Sequence, residues 1–469
     1  MFLNIDQHDP VSPALVDNEG NRVTYGALAS LMQTIGAQVE PRCLVFLLCR
    51  NTVGSVAGYL GFVERGAVPV TLNAKIDQAL LENLLEIYTP AYLWVPEEER
   101  DRFEYEEICN QYDYVLLKTG NERYPLHEDL QLCMTTSGST GSPKLVRYKA
   151  GNLEANAKNV AKAFGWTAAE RAICDLGMQY TMGLNVINTH LYVGATVLLT
   201  TYNLMSGDFW DYIKAERGTN FTGVPFSYDL CYRLHFDRMD LPDLRTLSQG
   251  GGKLTDARFQ QLAELAQRTG RRFIASFGTT ETSARMACLP PELALTKTGS
   301  IGRAIPEGEL FLVDESGAVL TAPAAEGELC YRGPNVTMGY ASCREDLQKG
   351  DTFCGVYHTG DLARRDADGC YYVTGRLSRF LKLLSYRVSL DQCEQLIQQA
   401  FDIECACAGT DQRMNIYITD ESRKKDVVDF LSAKTGLFRN LFKVFVVPEI
   451  LRNSSGKIRY KEMDAAYAS

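Results

Sequence analysis

Apolar residues recur in two alternating patterns between residues 44 and 276. The short continuous runs typical of buried strands are 44–48, 67–72, 92–95, 195–201 and 273–276. The segments with apolar residues at helical spacing are 53–65, 76–88 and 255–269, the last followed by Gly270 as a helix end. Alternation of this kind predicts parallel sheets covered by helices.

The pattern changes after residue 300. From 300 to 375, short strand-like runs alternate with glycine-containing turns, which predicts a small β-rich subdomain. From about 378 the chain restarts as a compact α+β unit, with helices at 389–400 and 422–434 and strands near 414–418 and 443–447. We therefore predict an α/β protein. A large N-terminal body of mixed sheets, flanking helices and the β-rich subdomain spans 1–376, and a small α+β domain spans 377–469.

Composition narrows the class of protein. The chain has 469 residues, 48 basic and 58 acidic, so its net charge of −10 argues against broad binding to nucleic acid. Its apolar stretches are interrupted before membrane-spanning length, and its N-terminus lacks a secretory signal. The 14 cysteines show no zinc-type spacing and are typical of reduced thiols. We expect a cytoplasmic protein with no membrane span and no nucleic-acid partner.

A segment rich in glycine and hydroxyl residues is the strongest chemical signal. It reads TSGSTGSPK from residue 136 to 144, and its amides, hydroxyls and lysine can converge on an anion such as a triphosphate. It is not a Walker A loop, because its lysine follows proline. A flexible linker is the alternative, but the Pro-Lys pair and the preceding strand-like run favour a binding loop. The candidate ligands are Thr136, Ser137, Gly138, Ser139, Thr140, Gly141 and Lys144.

Three further segments carry candidate chemistry. The run from Phe277 to Glu281 offers an aromatic face for a purine and a carboxylate for Mg²⁺. Asp361 follows a glycine turn and can accept hydrogen bonds from ribose hydroxyls. Lys457 lies on a polar loop beside glycine, where it can neutralise charge as a carboxylate meets a phosphate. Alone, each has an ordinary alternative: a solvated turn, a turn aspartate and a surface lysine.

In their order, these segments resemble the motifs of the adenylate-forming superfamily of acyl-CoA synthetases, luciferases and nonribosomal adenylation domains. The resemblance runs from about Thr24 to Lys457. It implies that residues 377–469 form a mobile lid on the adenylate-forming body. It also implies roles for single residues: Thr280 on phosphate, Glu281 on magnesium, Asp361 and Arg376 on ribose, Lys457 as the catalytic lysine, and Gly251, Gly252, Ser276 and Phe277 around the nucleotide.

The resemblance also locates an acyl pocket. Its expected lining, beside Gly250–Gly252, is Tyr180, Met182, Gly183, Leu184, Val224 and Pro225. This lining looks apolar, and no carboxylate aligns with the one that holds the ammonium of amino acids, since Asp175 lies too early. A neutral-tailed acid is therefore favoured. The chain departs from the family at Tyr180, where many members have histidine, and at Ser385, where a glycine usually borders the pantetheine tunnel.

The predicted function is ATP-dependent activation of a carboxylic acid to an acyl-adenylate, followed by transfer to a thiol, with Mg²⁺ as cofactor. The thiol belongs to CoA or, alternatively, to the phosphopantetheine of an acyl or peptidyl carrier protein. A non-catalytic nucleotide-binding homologue is the other alternative. A P-loop NTPase or a protein kinase is disfavoured, because the sequence has neither set of motifs.

Overall fold

The computed structural model describes residues 1–135, 144–377, 379–383, 386–453 and 456–468. It divides into two compact units. The first comprises Met1–Leu310 with Tyr331–Tyr357, and the second comprises Phe311–Cys330 with His358–Ser469. The boundary at 376/377 that the sequence suggests for a body and a lid stays a prediction.

Strands and helices alternate through most of the first unit. In the described residues the strands are β1 (Pro13–Asp17), β2 (Arg22–Thr24), β3 (Leu44–Cys49), β4 (Val68–Asn73), β5 (Tyr92–Pro96), β6 (Glu106–Gln111), β7 (Tyr114–Lys118), β8 (Leu130–Thr135), β9 (Leu145–Lys149), β10 (Arg171–Cys174), β11 (Thr196–Leu199), β12 (Asn220–Gly223), β13 (Thr246–Gln249), β14 (Arg272–Phe277), β15 (Ala287–Cys288), β16 (Arg303–Ala304), β17 (Glu309–Val313), β18 (Ala325–Arg332), β19 (Tyr340–Ala341), β20 (Val356–Arg365), β21 (Tyr371–Arg376), β22 (Phe380–Leu383), β23 (Tyr386–Ser389), β24 (Cys405–Thr410), β25 (Arg413–Ile418) and β26 (Phe442–Val446). The α-helices there are α1 (Tyr25–Gly36), α2 (Val53–Arg65), α3 (Gln78–Tyr88), α4 (Asn152–Phe164), α5 (Thr181–Tyr192), α6 (Gly207–Ala215), α7 (Pro225–Arg233), α8 (Asp256–Thr269), α9 (Leu390–Phe401), α10 (Lys424–Thr435) and α11 (Tyr460–Tyr467).

Two large sheets organise the first unit. One has nine strands in the order β16-β15-β14-β13-β12-β10-β11-β1-β2 and is parallel from β14 to β1. The other has eight strands in the order β19-β9-β8-β4-β3-β5-β7-β6 and is parallel from β8 to β5. The parallel sheets predicted from the alternating pattern are confirmed.

The second sheet is buried on both faces, which explains the continuous apolar run of β3. Val45 and Leu47 point into one hydrophobic core, whereas Phe46 and Leu48 point into another. Side chains of successive strand residues alternate between faces, so a strand covered on both sides needs apolar residues throughout.

Helix ends follow the capping signals in the sequence. The hydroxyl of Thr255 accepts a hydrogen bond from the backbone amide of Arg258 and begins α8, and Gly270 ends it with a left-handed φ of +68°. The predicted end at Gly270 is confirmed. The predicted helix at 422–434 begins slightly later, at Lys424, because Glu421–Arg423 form a short 3₁₀ turn.

The second unit is built from smaller sheets. The order of its four-stranded sheet is β17-β18-β20-β21, and β24, β25 and β26 form a three-stranded sheet. Alternate residues of β25 serve opposite faces: Met414, Ile416 and Ile418 pack in the core beneath α9 and α10, whereas Tyr417 packs with Met463 of α11. Helix α11 was not predicted from the sequence.

All 14 cysteines lie in described residues, and none forms a disulfide. Most are buried, and burial raises the pKa of thiols such as those of Cys133 and Cys393 to about 12. Among the described residues, no helix combines the length and apolarity that a membrane crossing requires.

Gly58 allows α2 to pack directly against β5. A Cβ atom at this position would lie 2.2 Å from the indole nitrogen of Trp94, which donates to the backbone carbonyl of Gly54 at 3.0 Å. We expect Gly58→Ala to lower the free energy of unfolding by about 1–3 kcal/mol, because the indole must move within a packed core. Urea unfolding followed by tryptophan fluorescence measures this loss.

Gly207→Ala is the matched control. Gly207 is also a helical glycine, at the start of α6, but a Cβ atom there meets nothing within 4 Å. Equal unfolding midpoints for the two variants would contradict the packing of α2 against Trp94.

Candidate active site

Four neighbouring parallel strands end at the same edge of the nine-stranded sheet. Strands β10, β12, β13 and β14 are adjacent in that order. The register pairs Gly223 with Gln249 and Gln249 with Ala275, so their carboxyl ends lie side by side. In open α/β sheets ligands bind beyond such carboxyl ends. The chain segments that follow these four strands contain most of the residues predicted to form the acyl and nucleotide pockets.

The glycine segment after β13 contacts several of the predicted acyl-pocket residues. A Cβ atom at Gly250 would lie 2.7 Å from Cε of Met182, and one at Gly251 would lie 3.1 Å from a methyl carbon of Val224. Pro225 is equally close to Gly252, at 3.1 Å. The structure therefore brings Met182, Val224 and Pro225 together beside the predicted glycine segment.

The other predicted lining residues lie around the start of α5. Tyr180 is the N-cap residue of this helix. Gly183 faces backbone, since a Cβ atom there would lie 2.3 Å from the carbonyl oxygen of Leu176. Leu184 lines a small cavity.

Polar groups line much of that cavity. Its amide and hydroxyl side chains are those of Asn156, Thr181, Asn185, Asn188 and Ser283. Leu184 is the one predicted acyl-pocket residue in this lining, so the apolar lining expected for the acyl pocket stays a prediction. Helix α5 is buried on several sides and directs Thr181, Asn185 and Asn188 towards this cavity together with Leu184.

Lys144 and Glu281 meet at the side chain of Tyr340. The Nζ atom of Lys144 lies 4.0 Å from the centre of the Tyr340 ring, and the Tyr340 hydroxyl donates to Oε1 of Glu281 at 2.7 Å. The backbone carbonyl of Thr280 accepts a hydrogen bond from the hydroxyl of Tyr148 at 2.7 Å. A cation and a carboxylate are thus held on one aromatic side chain.

Tyr340 was missed in the sequence. Tyr340 is the first residue of the short strand β19, which pairs with β9, and it lies opposite Val146. Its contact with Lys144 and Glu281 depends on sheet pairing between segments far apart in the chain. No local motif marks it.

The residues around β13 and β14 that the sequence predicts to contact the nucleotide have defined positions. Ser276 is buried and donates its hydroxyl hydrogen to the carbonyl of Gln249 at 2.7 Å. Phe277 ends β14 and is partly exposed. Gly251 and Gly252 are exposed, and the side-chain amide of Gln249 donates from Nε2 to the backbone carbonyl of Gly252 at 2.6 Å. Contact between β13 and β14 therefore fixes these residues at one strand edge.

Most of the predicted phosphate loop lies outside the described residues. This applies to Thr136, Ser137, Gly138, Ser139, Thr140 and Gly141. The flanking strands β8 and β9 form an antiparallel pair in which Thr135 lies opposite Leu145. The segment between them therefore connects two paired strands, with Lys144 exposed at its end.

Asp361 and Arg376 form an ion pair in the second unit. They lie opposite each other on β20 and β21, with Nε and Oδ1 separated by 2.8 Å. The side chain of Asp361 is 3% exposed, and its Oδ2 has no hydrogen-bond partner among the described residues. Burial raises the pKa of Asp361, although Arg376 and Lys457 act to lower it. A buried carboxylate oxygen is thus available to accept hydroxyl hydrogens.

Residues 359–361 lie within strand β20 and not in the glycine turn that the sequence suggests, and three hydrogen bonds fix them. The hydroxyl of Thr359 donates to the carbonyl of Leu329 at 2.7 Å and accepts from the amide of Asp361 at 3.0 Å. The carboxylate of Glu328 accepts from the amide of Gly360 at 3.1 Å. Thr359 and Gly360 are therefore anchored to the neighbouring strand β18.

Lys457 lies on an exposed loop of the second unit. Its backbone amide donates to the side chain of Asn453 at 2.9 Å, and its carbonyl accepts from the amide of Asn453 at 2.9 Å. The charge of Lys457 is among the causes that lower the pKa of Asp361. The structure thus groups Lys144 with Glu281 in the first unit, and Asp361, Arg376 and Lys457 in the second.

The parallel sheets define the chain as an α/β protein. One group of charged residues lies beside the ends of its parallel strands, and the other lies on paired strands and a loop of the second unit. The pattern of the AMP-binding enzyme family matches residues 4–341, so the chain belongs to this family. The predicted membership of the adenylate-forming superfamily is confirmed. The prediction of an ATP-dependent, AMP-forming acid–thiol ligase is confirmed as well.

Individual relatives agree with this assignment. The chain is 27% identical over 435 residues to 2-succinylbenzoate–CoA ligase of Bacillus cereus (strain AH820), covering 89% of this chain and 87% of the relative. It is 26% identical over 352 residues to oxalate–CoA ligase of Arabidopsis thaliana, covering 71% of this chain and 66% of the relative. The o-succinylbenzoate CoA synthetase of Bacillus subtilis, in complex with its acyl-adenylate intermediate, has the same fold, with a TM-score of 0.79 at 21% identity and coverage of 98% and 97%. The predicted fold class is confirmed.

Asp175 directly follows β10, and its buried carboxyl makes the stability of the protein depend on pH. Its Oδ1 is buried without a hydrogen-bond partner among the described residues, and burial raises the pKa of its carboxyl to about 7. The folded state then holds this proton more tightly than the unfolded chain does. The contribution of this carboxyl to the free energy of unfolding is fully present below about pH 4 and is lost as the pH rises towards about 7.

We expect Asp175→Asn to reduce this loss of stability between about pH 4 and pH 7, because the amide does not ionise. Urea unfolding midpoints across this range measure the effect. Asp101→Asn, at an exposed aspartate, is the control and should keep the wild-type pH dependence. A wild-type profile for Asp175→Asn would show that this carboxyl titrates normally.

Proposed function

We propose that the chain joins a carboxylic acid to coenzyme A in two steps. In the first step, a carboxylate oxygen of the acid attacks the α-phosphorus of ATP, the bond from this phosphorus to pyrophosphate breaks, and an acyl-adenylate forms. In the second step, the sulfur of the thiol attacks the acyl carbon, the thiol proton is lost, and AMP leaves. The observation that carries this proposal is the grouping of Lys144 and Glu281 on Tyr340, beside the strand edge that holds the predicted acyl pocket.

In this proposal Lys144, with the segment 136–141, binds the phosphates of ATP, and Thr280 contributes a further phosphate contact. Glu281 holds the magnesium ion. The residue fits that role, because the Tyr340 hydrogen bond uses one lone pair of a carboxylate that has about four acceptor sites. The bound ion would neutralise charge on the phosphates. The Tyr340 hydrogen bond orients the carboxylate before the ion binds.

Asp361 binds the ribose hydroxyls in this proposal. Its buried Oδ2 supports the assignment, since a buried polar atom without a partner is costly unless a ligand supplies one. Arg376 holds the other carboxylate oxygen and keeps the side chain in place. The purine lies between Phe277 and the segment containing Gly251, Gly252 and Ser276.

Lys457 is the catalytic lysine in this proposal, and residues 377–469 are a lid that carries it. Two hydrophobic cores support a separate C-terminal domain, because their buried residues all lie between Leu381 and Met463. The cation would approach the oxygens of the incoming carboxylate and the α-phosphate and stabilise the charge that develops there. Ser385, which the resemblance sets beside the pantetheine tunnel, lies outside the described residues.

CoA is the proposed acceptor, since the curated relatives described above are acid–CoA ligases. A carrier protein ends in the same phosphopantetheine thiol, so titration with CoA and with holo-carrier protein separates the two acceptors. We also propose that the protein works in the reducing cytoplasm, which fits its 14 free cysteines.

ATP–pyrophosphate exchange across a panel of carboxylic acids tests the first step directly. Exchange that depends on both an acid and magnesium supports the proposal. Absence of exchange with every acid, in a protein that still binds ATP, would favour a nucleotide-binding homologue without turnover. Oxalate and 2-succinylbenzoate belong in the panel because relatives of this chain are named for them.

Lys457→Ala should reduce the exchange rate by about 100-fold or more while leaving ATP affinity close to wild type, since the lysine acts on charge that develops during reaction. The measurements are exchange kinetics and ATP titration calorimetry. Lys461→Ala, an exposed lysine of α11, is the control. Exchange near the wild-type rate in Lys457→Ala would assign the catalytic cation to another residue.

Asp361→Asn should weaken ATP binding by about 10-fold or more, because a charged acceptor for the ribose hydroxyls is replaced by a neutral amide. Titration calorimetry with ATP measures the change. Asp314→Asn alters an exposed turn aspartate of the same unit and should leave the affinity unchanged. If Asp361→Asn binds ATP normally, the ribose is bound elsewhere.

A further inference from the structure

Arg285 is a buried arginine with an unused donor. The residue is 0% exposed, and its Nη2 has no hydrogen-bond partner among the described residues. Its Nη1 donates to Oδ1 of Asn185, and its Nε donates to the hydroxyl of Ser276 at 3.4 Å. Burial lowers the pKa of the guanidinium to about 10, and the groups that act to raise it are the thiol of Cys288 and the phenol of Tyr228, not carboxylates. A positive charge is thus enclosed among neutral partners.

Aromatic rings contact the guanidinium without neutralising it. Its central carbon lies 4.9 Å from the ring centre of Phe164 and 5.7 Å from that of Trp166. Such contacts offset only part of the cost of removing a cation from water. Buried charges in proteins are normally paired with an opposite charge, so the surroundings of Arg285 are incomplete without an anion.

The arginine is tied to the wall of the polar cavity by a closed set of hydrogen bonds. Asn185 accepts from the guanidinium and donates to Oδ1 of Asn156 at 2.7 Å. Asn156 in turn donates to the backbone carbonyl of Arg285 at 2.7 Å. Both asparagines line the cavity, as does Ser283, two residues before Arg285. The guanidinium is therefore held at a fixed position next to this cavity.

The same arginine adjoins the predicted acyl pocket. Its partner Ser276 lies where a Cβ atom of Gly250 would be 3.0 Å from the serine hydroxyl and 2.7 Å from Met182. The turn that presents Arg285 packs on the magnesium-binding segment, since a Cβ atom at Gly278 would lie 1.7 Å from the carbonyl oxygen of Ala284. Arg285 thus adjoins both the acyl pocket and the segment that leads to Glu281.

We propose that Arg285 binds a second carboxylate at the far end of the substrate, so that the acid activated by this chain is a dicarboxylic acid. This proposal rests on the acid-activating function proposed above and defines its substrate class. The unpartnered Nη2 group can donate to a carboxylate oxygen in a charge-assisted hydrogen bond. The amides of Asn156 and Asn185 offer further hydrogen bonds in the cavity wall. A diacid replaces the neutral-tailed acid that the sequence favours.

Matched acids test the proposal on the wild-type protein. Glutarate and its monoamide differ only in the distal group, as do terephthalate and 4-carbamoylbenzoate. In ATP–pyrophosphate exchange, we expect one of the diacids to exceed its monoamide by about 10- to 100-fold in kcat/KM, the usual range for a hydrogen-bonded charge. Equal or better activation of both monoamides would overturn the proposal.

Variants separate specificity from stability. Arg285→Met should abolish the preference for a diacid over its monoamide by lowering activation of the diacid alone. Arg285→Lys should retain part of this preference because the charge remains. Arg271→Met is the control: this arginine precedes β14 at the opposite end of the strand and donates to the carbonyls of Leu244 and Leu241. It should keep the wild-type preference. An equal loss with both acids of a pair in Arg285→Met would show a purely structural role.

Binding without turnover distinguishes this proposal from the proposed function. Thermal unfolding of wild type and Arg285→Met is measured with each diacid and each monoamide in the absence of ATP. If exchange is absent with every acid but a diacid alone raises the unfolding temperature of wild type, the diacid site stands and the ligase function fails. If exchange occurs but neither assay separates diacid from monoamide, the ligase function stands and the diacid site fails.

Discussion

The adjacent carboxyl ends of β10, β12, β13 and β14 are the constraint on which the geometry of the candidate active site in the first unit depends. Hydrogen bonding between parallel strands fixes their relative height, so the segments that leave them must emerge side by side. Residues separated by more than one hundred positions in the chain therefore share one edge. Glycines after β13 and β14 let neighbouring side chains and backbone approach this edge closely.

Local patterns predicted the strands, the helices and the motifs that lie on them, because apolar period and capping act within a few residues. The long-range contacts could not be predicted in that way. Tyr340 and Glu281 are 59 residues apart, and Arg285 and Asn185 are 100 residues apart. The polar cavity was missed for a related reason: Asn185 lies in a segment that is apolar on average, and only packing shows which of its faces borders a cavity.

The second unit shows how a short motif acquires a defined geometry. Asp361 could be recognised from the glycine before it, but its burial and its spare oxygen arise from β18 and β21, which supply Glu328, Leu329 and Arg376. The same three residues without these partners would be an ordinary solvated segment. The buried carboxylate with its unpartnered oxygen is therefore a property of the sheet as much as of the motif.

The burial of the cysteines has a consequence for an enzyme that makes an activated acyl group. An acyl-adenylate is an electrophile, and any thiolate near it would be acylated in place of the intended acceptor. Enclosed thiols such as those of Cys133, Cys174 and Cys393 stay protonated at neutral pH, because burial raises their pKa values. Such protonated, enclosed thiols compete poorly with an incoming thiol for an acyl group.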